Sequence, residues 1–333
     1  MEVCGGHTMC IHKFGIPSLL PKTIKLLSGP GCPVCVTSRY FIDDAVECSR
    51  TDGVILTTLG DLIRVPGTET SLYREKSAGR DIRIVYSVLE AIQIAKDNKD
   101  KKIVFPGIGF ETTAPLSAAA ILQAKKEGLS NFYILSAHKV MPPVMKALIT
   151  EGVKIDGYIC PGHVSVITGT NIYKSIVEDF GLACVVSGFE PLDILQSIFM
   201  LVNQIEKGQP ALENQYSRAV KTEGNKKAQE IMYKVFEPAD DWWRGMGTIP
   251  MSGLSLRKEF KSFDARQIFK PVKRTESEKE KGCICGNILK GLKTPADCSL
   301  FNTICTPIDP VGACMVSGEG SCATWYRYAR EAI

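Results

Sequence analysis

The sequence predicts an α/β protein with two similar parallel-sheet domains followed by a smaller cysteine-rich domain. Three observations carry that expectation. Between residues 24 and 207, short β-branched runs alternate with longer segments of helical period, the signature of parallel strands joined by crossover helices. The short runs are nearly continuous in apolar residues, as strands covered on both faces must be. Six of the 13 cysteines fall after residue 282, beyond the alternating region.

In chain order, the strand runs are 24–28, 53–58, 82–86, 102–106, 132–136, 157–160 and 183–187. Helices are expected at 38–48, 87–97, 114–127, 142–150, 171–179 and 191–206, most with one apolar face. Thr112-Thr113 before Ala114-Pro115 is a helix start, since proline is tolerated only in the first turn. Gly109-Phe110-Glu111 and Gly188-Phe189-Glu190 each end a strand and open a helix, and Gly29-Pro30-Gly31-Cys32 is echoed by Cys160-Pro161-Gly162-His163. Such echoes suggest two halves whose strand-end loops surround a shared cleft. The expected domains are 1–105, 106–210 and 211–333. After Gly208 the alternation stops, and a polar, helical segment leads to Trp242-Trp243. The charged run at 275–281 reads as a solvated loop or frayed helix. The tail beyond it has too little apolar periodicity to fold alone, so a metal centre is expected to organise it.

Composition narrows the function. At about 150 residues per domain, 333 residues hold two or three domains. A hydrophobic share of 44% with 23% charged residues excludes a mostly disordered chain. The net charge of +4 is matched by the segment 254–282 alone, with nine basic and five acidic residues, so no broad basic surface points to nucleic acid. No charged start leads into an apolar core of a signal peptide, and no apolar run reaches about 18 residues. Neither export nor membrane insertion is signalled, and a cytoplasmic location is expected. Thirteen cysteines are too few for a disulfide scaffold on a chain of this length. In a reducing compartment they point to metal, cluster or thiol redox chemistry.

Three groups of cysteines carry that chemistry. Cys283, Cys298, Cys305 and Cys322 are separated by 14, 6 and 16 residues, wide spacings that suit four loop-borne thiolates around one iron–sulfur cluster. A zinc ribbon needs two close pairs, and Cys283-x-Cys285 is the only close pair in the tail. Cys285 and Cys314 are alternative ligands. Gly29-Pro30-Gly31-Cys32-Pro33-Val34-Cys35 places a C-x-x-C at an expected helix N-terminus, where a thiolate is stabilised and reversible disulfide closure is possible. The same pair can donate two zinc ligands. Cys4-Gly5-Gly6-His7-Thr8 joins a thiolate and an imidazole, a metal ligand pair or a nucleophile, with glycines that let the backbone approach a bound group. Glu111 and His163 stand at strand ends, where they can handle protons or orient a ligand; a helix cap and a hydrogen-bonded histidine are the structural alternatives. Gly107-x-Gly109 is not a dinucleotide loop, because Thr112 stands where the third glycine belongs.

Taken together these strings resemble the HypD family of nickel–iron hydrogenase maturation factors. The likeness runs through CGGHT at 4–8, GPGCPVC at 29–35, GFETTAP at 109–115, PGHVSVITG at 161–169, and the tail strings DCSLFNTICTP and GACMVSGEGSCA. It covers essentially the whole chain. It departs in two places: the family usually has a stretch of chain before CGGHT, which here begins after three residues, and Cys10 stands where a small apolar residue is common. The resemblance implies two α/β domains and a cluster-bearing third, acting with the small protein HypC as a scaffold for the Fe(CN)2CO unit. Cyanide would arrive from HypE, supplied through HypF, and the product would reach the hydrogenase large subunit through HypC. By the same resemblance, Cys4 holds the mononuclear iron that carries cyanide and carbonyl ligands, shared with a cysteine of HypC. Cys32 and Cys35 form the redox dithiol, and Cys283, Cys298, Cys305 and Cys322 bind a 4Fe-4S cluster. His7, Glu111 and His163 line the cleft. Releasing cyanide from a thiocyanate carrier consumes electrons, which a cluster coupled to a dithiol can supply. The alternative function is an iron–sulfur disulfide reductase acting on a protein thiol partner.

Overall fold

A computed structural model of the chain describes residues 1–269 and 282–329. The charged run at 275–281 lies outside the described residues. From the N-terminus come α1 (Gly5–Lys13), α2 (Ile16–Leu19), α3 (Pro33–Val36), α4 (Arg39–Arg50), β1 (Val54–Thr58), α5 (Leu72–Ser77), β2 (Ile82–Ile84) and α6 (Val88–Asp97). β3 (Lys102–Gly109), α7 (Ala114–Lys126), β4 (Phe132–His138) and α8 (Met141–Thr150) complete the first half. The second contains β5 (Gly157–Pro161), α9 (Gly162–Thr168), α10 (Lys174–Phe180), β6 (Ala183–Ser187), α11 (Pro191–Glu206) and β7 (Leu212–Asn214). Then come α12 (Lys226–Val235), β8 (Phe236–Trp243), β9 (Gly247–Leu256), and the tail helices α13 (Cys285–Leu289), α14 (Ala313–Val316) and α15 (Ser321–Tyr328).

The expected α/β class is found. One parallel sheet has the order β2-β1-β3-β4 and a second the order β5-β6-β7. Every residue of β1, β5 and β6 is buried, which is why these runs are apolar without alternation. The Cys-rich tail packs as a third part: α15 against α1, and α14 against α3.

The expected boundaries are not where the sheets divide. Position 105/106 falls inside β3, whose register with β4 runs unbroken from Ile103 to Gly109. Residues 1–28 fall within the expected first domain, 1–105, yet Glu2 pairs with Ile159 of β5 and, on its other side, with Ser28. Ile159 N–H donates to Met1 O at 2.9 Å and Val3 N–H to Ile159 O at 3.3 Å. The N-terminal segment is therefore part of the second sheet. The run 24–28 makes only that one bridge and is no strand, because its neighbour turns into α1 after Val3. Position 210/211 fails similarly, since β7 just beyond it pairs with β6.

The polar segment after 208 is not simply helical either. β8 and β9 form an antiparallel hairpin with a register shift between Ala239 and Asp241. That irregularity, together with Pro238, Asp240 and Asp241, hides the strand period in the sequence. The hairpin is pinned to the first sheet by buried Lys139, which donates to Asp241 Oδ2 at 2.5 Å and to Trp242 O at 2.8 Å and lies over the Trp243 ring. The hairpin turn in turn meets the tail: Gly245, at φ 75°, lies against Gly286 of α13, leaving no room for a side chain on either.

One apolar core joins Cys32 and Cys35 with Cys285, Cys298, Cys305, Cys314 and Cys322. Beside Cys32, at Gly31, a Cβ would overlap the backbone of Cys4. Gly31→Ala should therefore lower the unfolding free energy by about 2–3 kcal/mol, the cost of overpacking a close backbone contact. Urea denaturation against wild type checks this; an unchanged midpoint would contradict the contact.

Candidate functional site

Cys4 is the N-cap residue of α1. Its N–H donates to Glu2 Oε2 at 2.9 Å, and Thr8 Oγ1 donates to Glu2 Oε1 at 2.5 Å, so a buried carboxylate ties the thiol-bearing turn to the sheet edge. Gly5 N–H donates to Gly31 O at 3.0 Å, which sets Cys4 beside the residue that precedes Cys32. Cys32 and Cys35 are disulfide-bonded, with Cα atoms 5.2 Å apart. The two cysteine motifs are thus brought together through main-chain contacts. α3 is a single turn, so support for a Cys32 thiolate comes from the Cys35 N–H, 3.3 Å from Cys32 Sγ, more than from a helix dipole.

Burial dominates the electrostatics. It pushes the Cys4 thiol up to about 12, helped by the charge of Glu319 and then Glu2, while N–H groups of His7 and Gly6 pull the other way. Burial raises Glu2 to about 7 and lowers His7 to about 4. At neutral pH Cys4 is a thiol and His7 a neutral imidazole. His7 Nε2 lies 3.2 Å from Ser187 O, an acceptor only, so Nε2 carries the proton. Nδ1 is left with a lone pair and no hydrogen-bond partner.

His7 and His163 meet across Phe189. Phe189 stacks on exposed His163 at 3.8 Å between centroids and tilts against His7 at 4.8 Å. Cys10 donates to Phe189 O at 2.8 Å, which gives this thiol a positioning contact and no place beside Cys4. The turn behind Phe189 is fixed by Asp193, which Arg218 grips with both Nη groups and Gln215 supports. Glu111 comes from the end of β3 in the other sheet. Its Oε1 accepts from Met141 N–H at 3.0 Å, its Oε2 has no partner, and burial raises it to about 7. Burial raises Tyr173, and Cys160, Glu111 and Cys4 lie near enough to add to that shift when ionised.

The tail cysteines gather within mutual electrostatic range. Cys305 is raised by burial and by Cys283 and Cys298, and Cys322 by burial and by Cys285, Cys283, Cys305 and Cys298. Among the described residues no three His, Cys, Asp or Glu side chains stand as a metal-binding group. The donor set nonetheless suits a cluster: Cys283, Cys298 and Cys305 stand on loops and Cys322, expected on a loop, in the first turn of α15, with Val311 N–H donating to Cys305 Sγ at 3.3 Å and Gly312 N–H also directed at it. Cys314 is hydrogen-bonded to Cys285.

Four further residues belong to the site. Glu2 and Arg244 give no sequence signal. Arg244, fully buried, donates from Nη2 to Thr37 O and from its N–H to Val36 O, linking the hairpin to the disulfide turn. Phe189 was visible as the second Gly-Phe-Glu string. Glu319 lies in the tail string GEGSC, and its carboxylate packs on Gly5, where a Cβ would come 2.9 Å from Oε2.

A family model for HypD, described as the hydrogenase formation hypA family, matches residues 1–329. A hydrogenase expression/formation protein of Methanocaldococcus jannaschii is 48% identical over 330 residues, covering 99% of this chain and 92% of that protein. The hydrogenase maturation factor HypD of Rhizobium leguminosarum bv. viciae is 46% identical over 340 residues, 99% of this chain and 88% of its own. Its counterpart in Azotobacter vinelandii is 44% identical over 339 residues, 99% and 89%. With the motif residues gathered as described and the likeness spanning nearly the full length, the chain belongs to the HypD family of hydrogenase-formation proteins.

Proposed function

We propose that this chain, with HypC, is the scaffold on which the Fe(CN)2CO unit of a nickel–iron hydrogenase is assembled, taking cyanide from HypE. The observation that carries the reading is the backbone contact that holds Cys4 against Gly31, beside the Cys32–Cys35 disulfide, in one core with the tail cysteines. Ferrous iron is the substrate. Cys4 binds it by losing its proton, which the metal charge makes possible for a thiol that burial otherwise keeps neutral. Glu319 and Glu2 offset the added charge, and His7 Nδ1 keeps a lone pair that no hydrogen bond uses.

A 4Fe-4S cluster, when bound by Cys283, Cys298, Cys305 and Cys322, supplies single electrons. The disulfide takes up two electrons and two protons to give two thiols, the reducing capacity that cyanide release from a thiocyanate carrier consumes. Glu111, carrying a proton near neutrality, is suited to donate it. A disulfide reductase for protein substrates is less well supported, because a partner thiol would have to reach Cys32 at 3% exposure or Cys35 at zero.

Cys4→Ser should abolish the cyanide and carbonyl stretches in the infrared spectrum of the anaerobic complex with HypC, while leaving the visible absorption of the cluster intact. Retained stretches would remove Cys4 from its role. Cys298→Ala should lose iron, sulfide and that absorption, which elemental analysis checks. For Glu111 the sign is set by its raised pKa: the folded state binds the extra proton between about pH 4.5 and 7, so its contribution to stability is lost as pH rises through 7. Glu111→Gln should therefore gain on wild type by up to about 3 kcal/mol on going from pH 5 to pH 8. Thermal melts across that range measure it; a constant difference would contradict the buried carboxyl.

A further inference from the structure

A cleft of about 700 Å³ lies between the segment 64–74 and the loop 308–311. Val311 is among its lining residues. The N–H of Val311 reaches Cys305 Sγ, and the next residue, Gly312, stands so close to Cys283 that a Cβ there would come 2.8 Å from its Sγ. A single dipeptide thus separates the cleft from two of the four tail sulfurs. Arg64 holds this wall by donating from Nη2 to Pro307 O at 2.6 Å and Ile308 O at 3.3 Å. Exposed Arg64 and Arg74 and buried Arg39 line the cleft together with exposed Glu69 and Asp309, so basic residues outnumber acidic ones by one. Tyr73, 57% exposed, and Ile308, 89% exposed, stand at its rim.

We propose that this cleft is the docking place of an acidic one-electron carrier protein that reduces the tail cluster. The inference rests on the reading of Cys283, Cys298, Cys305 and Cys322 as cluster ligands. Exposed arginine and tyrosine with an apolar tip is the composition of a protein-binding surface, and electron-transfer encounters are small and electrostatically steered. Delivery through the dipeptide wall avoids the thiol site, which is closed by burial. In each encounter the carrier loses one electron and the cluster gains it. Two encounters provide the pair that, with two protons, opens the Cys32–Cys35 disulfide.

The probe is a reduced bacterial two-cluster ferredoxin, mixed with the full chain after iron and sulfide analysis. Binding is read by calorimetry with the oxidised ferredoxin, and reduction by stopped-flow. Wild type should lose roughly tenfold or more in second-order rate when salt is raised to about 0.3 M. Arg74→Glu and Arg64→Glu should each weaken binding and slow reduction by roughly tenfold at low salt and flatten the salt dependence. Arg74→Glu leaves the clasp on Pro307 and Ile308 intact, so it separates charge from wall integrity. Reduction by dithionite should be unchanged in both, and Lys126→Glu, on another face, should match wild type. Unchanged affinity and rate in both arginine variants, or a salt-independent wild type, would overturn the docking site. Protein without iron and sulfide would overturn the cluster reading itself, and the docking role with it.

Discussion

The site depends on one main-chain contact, that of Gly31 with Cys4. The Gly31 carbonyl accepts from Gly5 N–H, and two residues earlier Gly29 N–H donates to Glu2 O at 2.8 Å. These are buried polar groups, and leaving any of them unpaired costs about 1–3 kcal/mol, so the two segments cannot drift apart without loss. Only glycine at 31 permits the approach. Because Cys32 follows directly and caps α3, the disulfide is placed relative to Cys4 by backbone geometry, before any side-chain preference acts.

Burial then decides which protonation states the site can hold. A thiol near 12, two carboxyls near 7 and an imidazole near 4 are all moved toward their neutral forms. The surroundings of Cys4 are therefore poor in charge. A dication reverses this logic, since it favours thiolate and carboxylate alike and does so strongly where water is excluded. On the proposed reading, metal binding and proton release would be coupled by the same low polarity that keeps these groups neutral.

How much of this is legible in the sequence follows from range. Strands β1 to β6 and the helices α4, α6, α7, α8, α10 and α11 show themselves because their signal is local: apolar runs, helical period, Pro115 in a first turn; the short β7, α5 and α9 do not. Sheet membership does not, because Glu2 pairs with Ile159, 157 positions away, and nothing near either residue announces it. The hairpin at 236–256 is obscured by Pro238 and paired aspartates that serve Lys139. The cysteines declare a chemistry through their number and spacing, and the likeness of the motifs supplies the family. Their partners Glu2, Arg244 and Glu319 are ordinary polar residues until the fold brings them beside a thiol.

The closed state also sets how a ligand can reach Cys4. From solvent inward the order is His163, Phe189, His7, with only the first exposed. Gly6 lets Phe189 lie close to the thiol turn, its absent Cβ falling 3.0 Å from Phe189 Cε1 and 3.8 Å from Cys4 Sγ. A group approaching from this side must displace the stacked rings. Each such pair is worth about 0.5–1.5 kcal/mol beyond area burial, well within what a bound partner can supply. The backbone contacts beneath, among them those of Gly31, Glu2 and Ile159, are numerous and cooperative by comparison. The backbone is thus tied where it holds the thiols and the ring stack above is weaker, so on the proposed reading exchange at Cys4 would leave the neighbouring disulfide undisturbed.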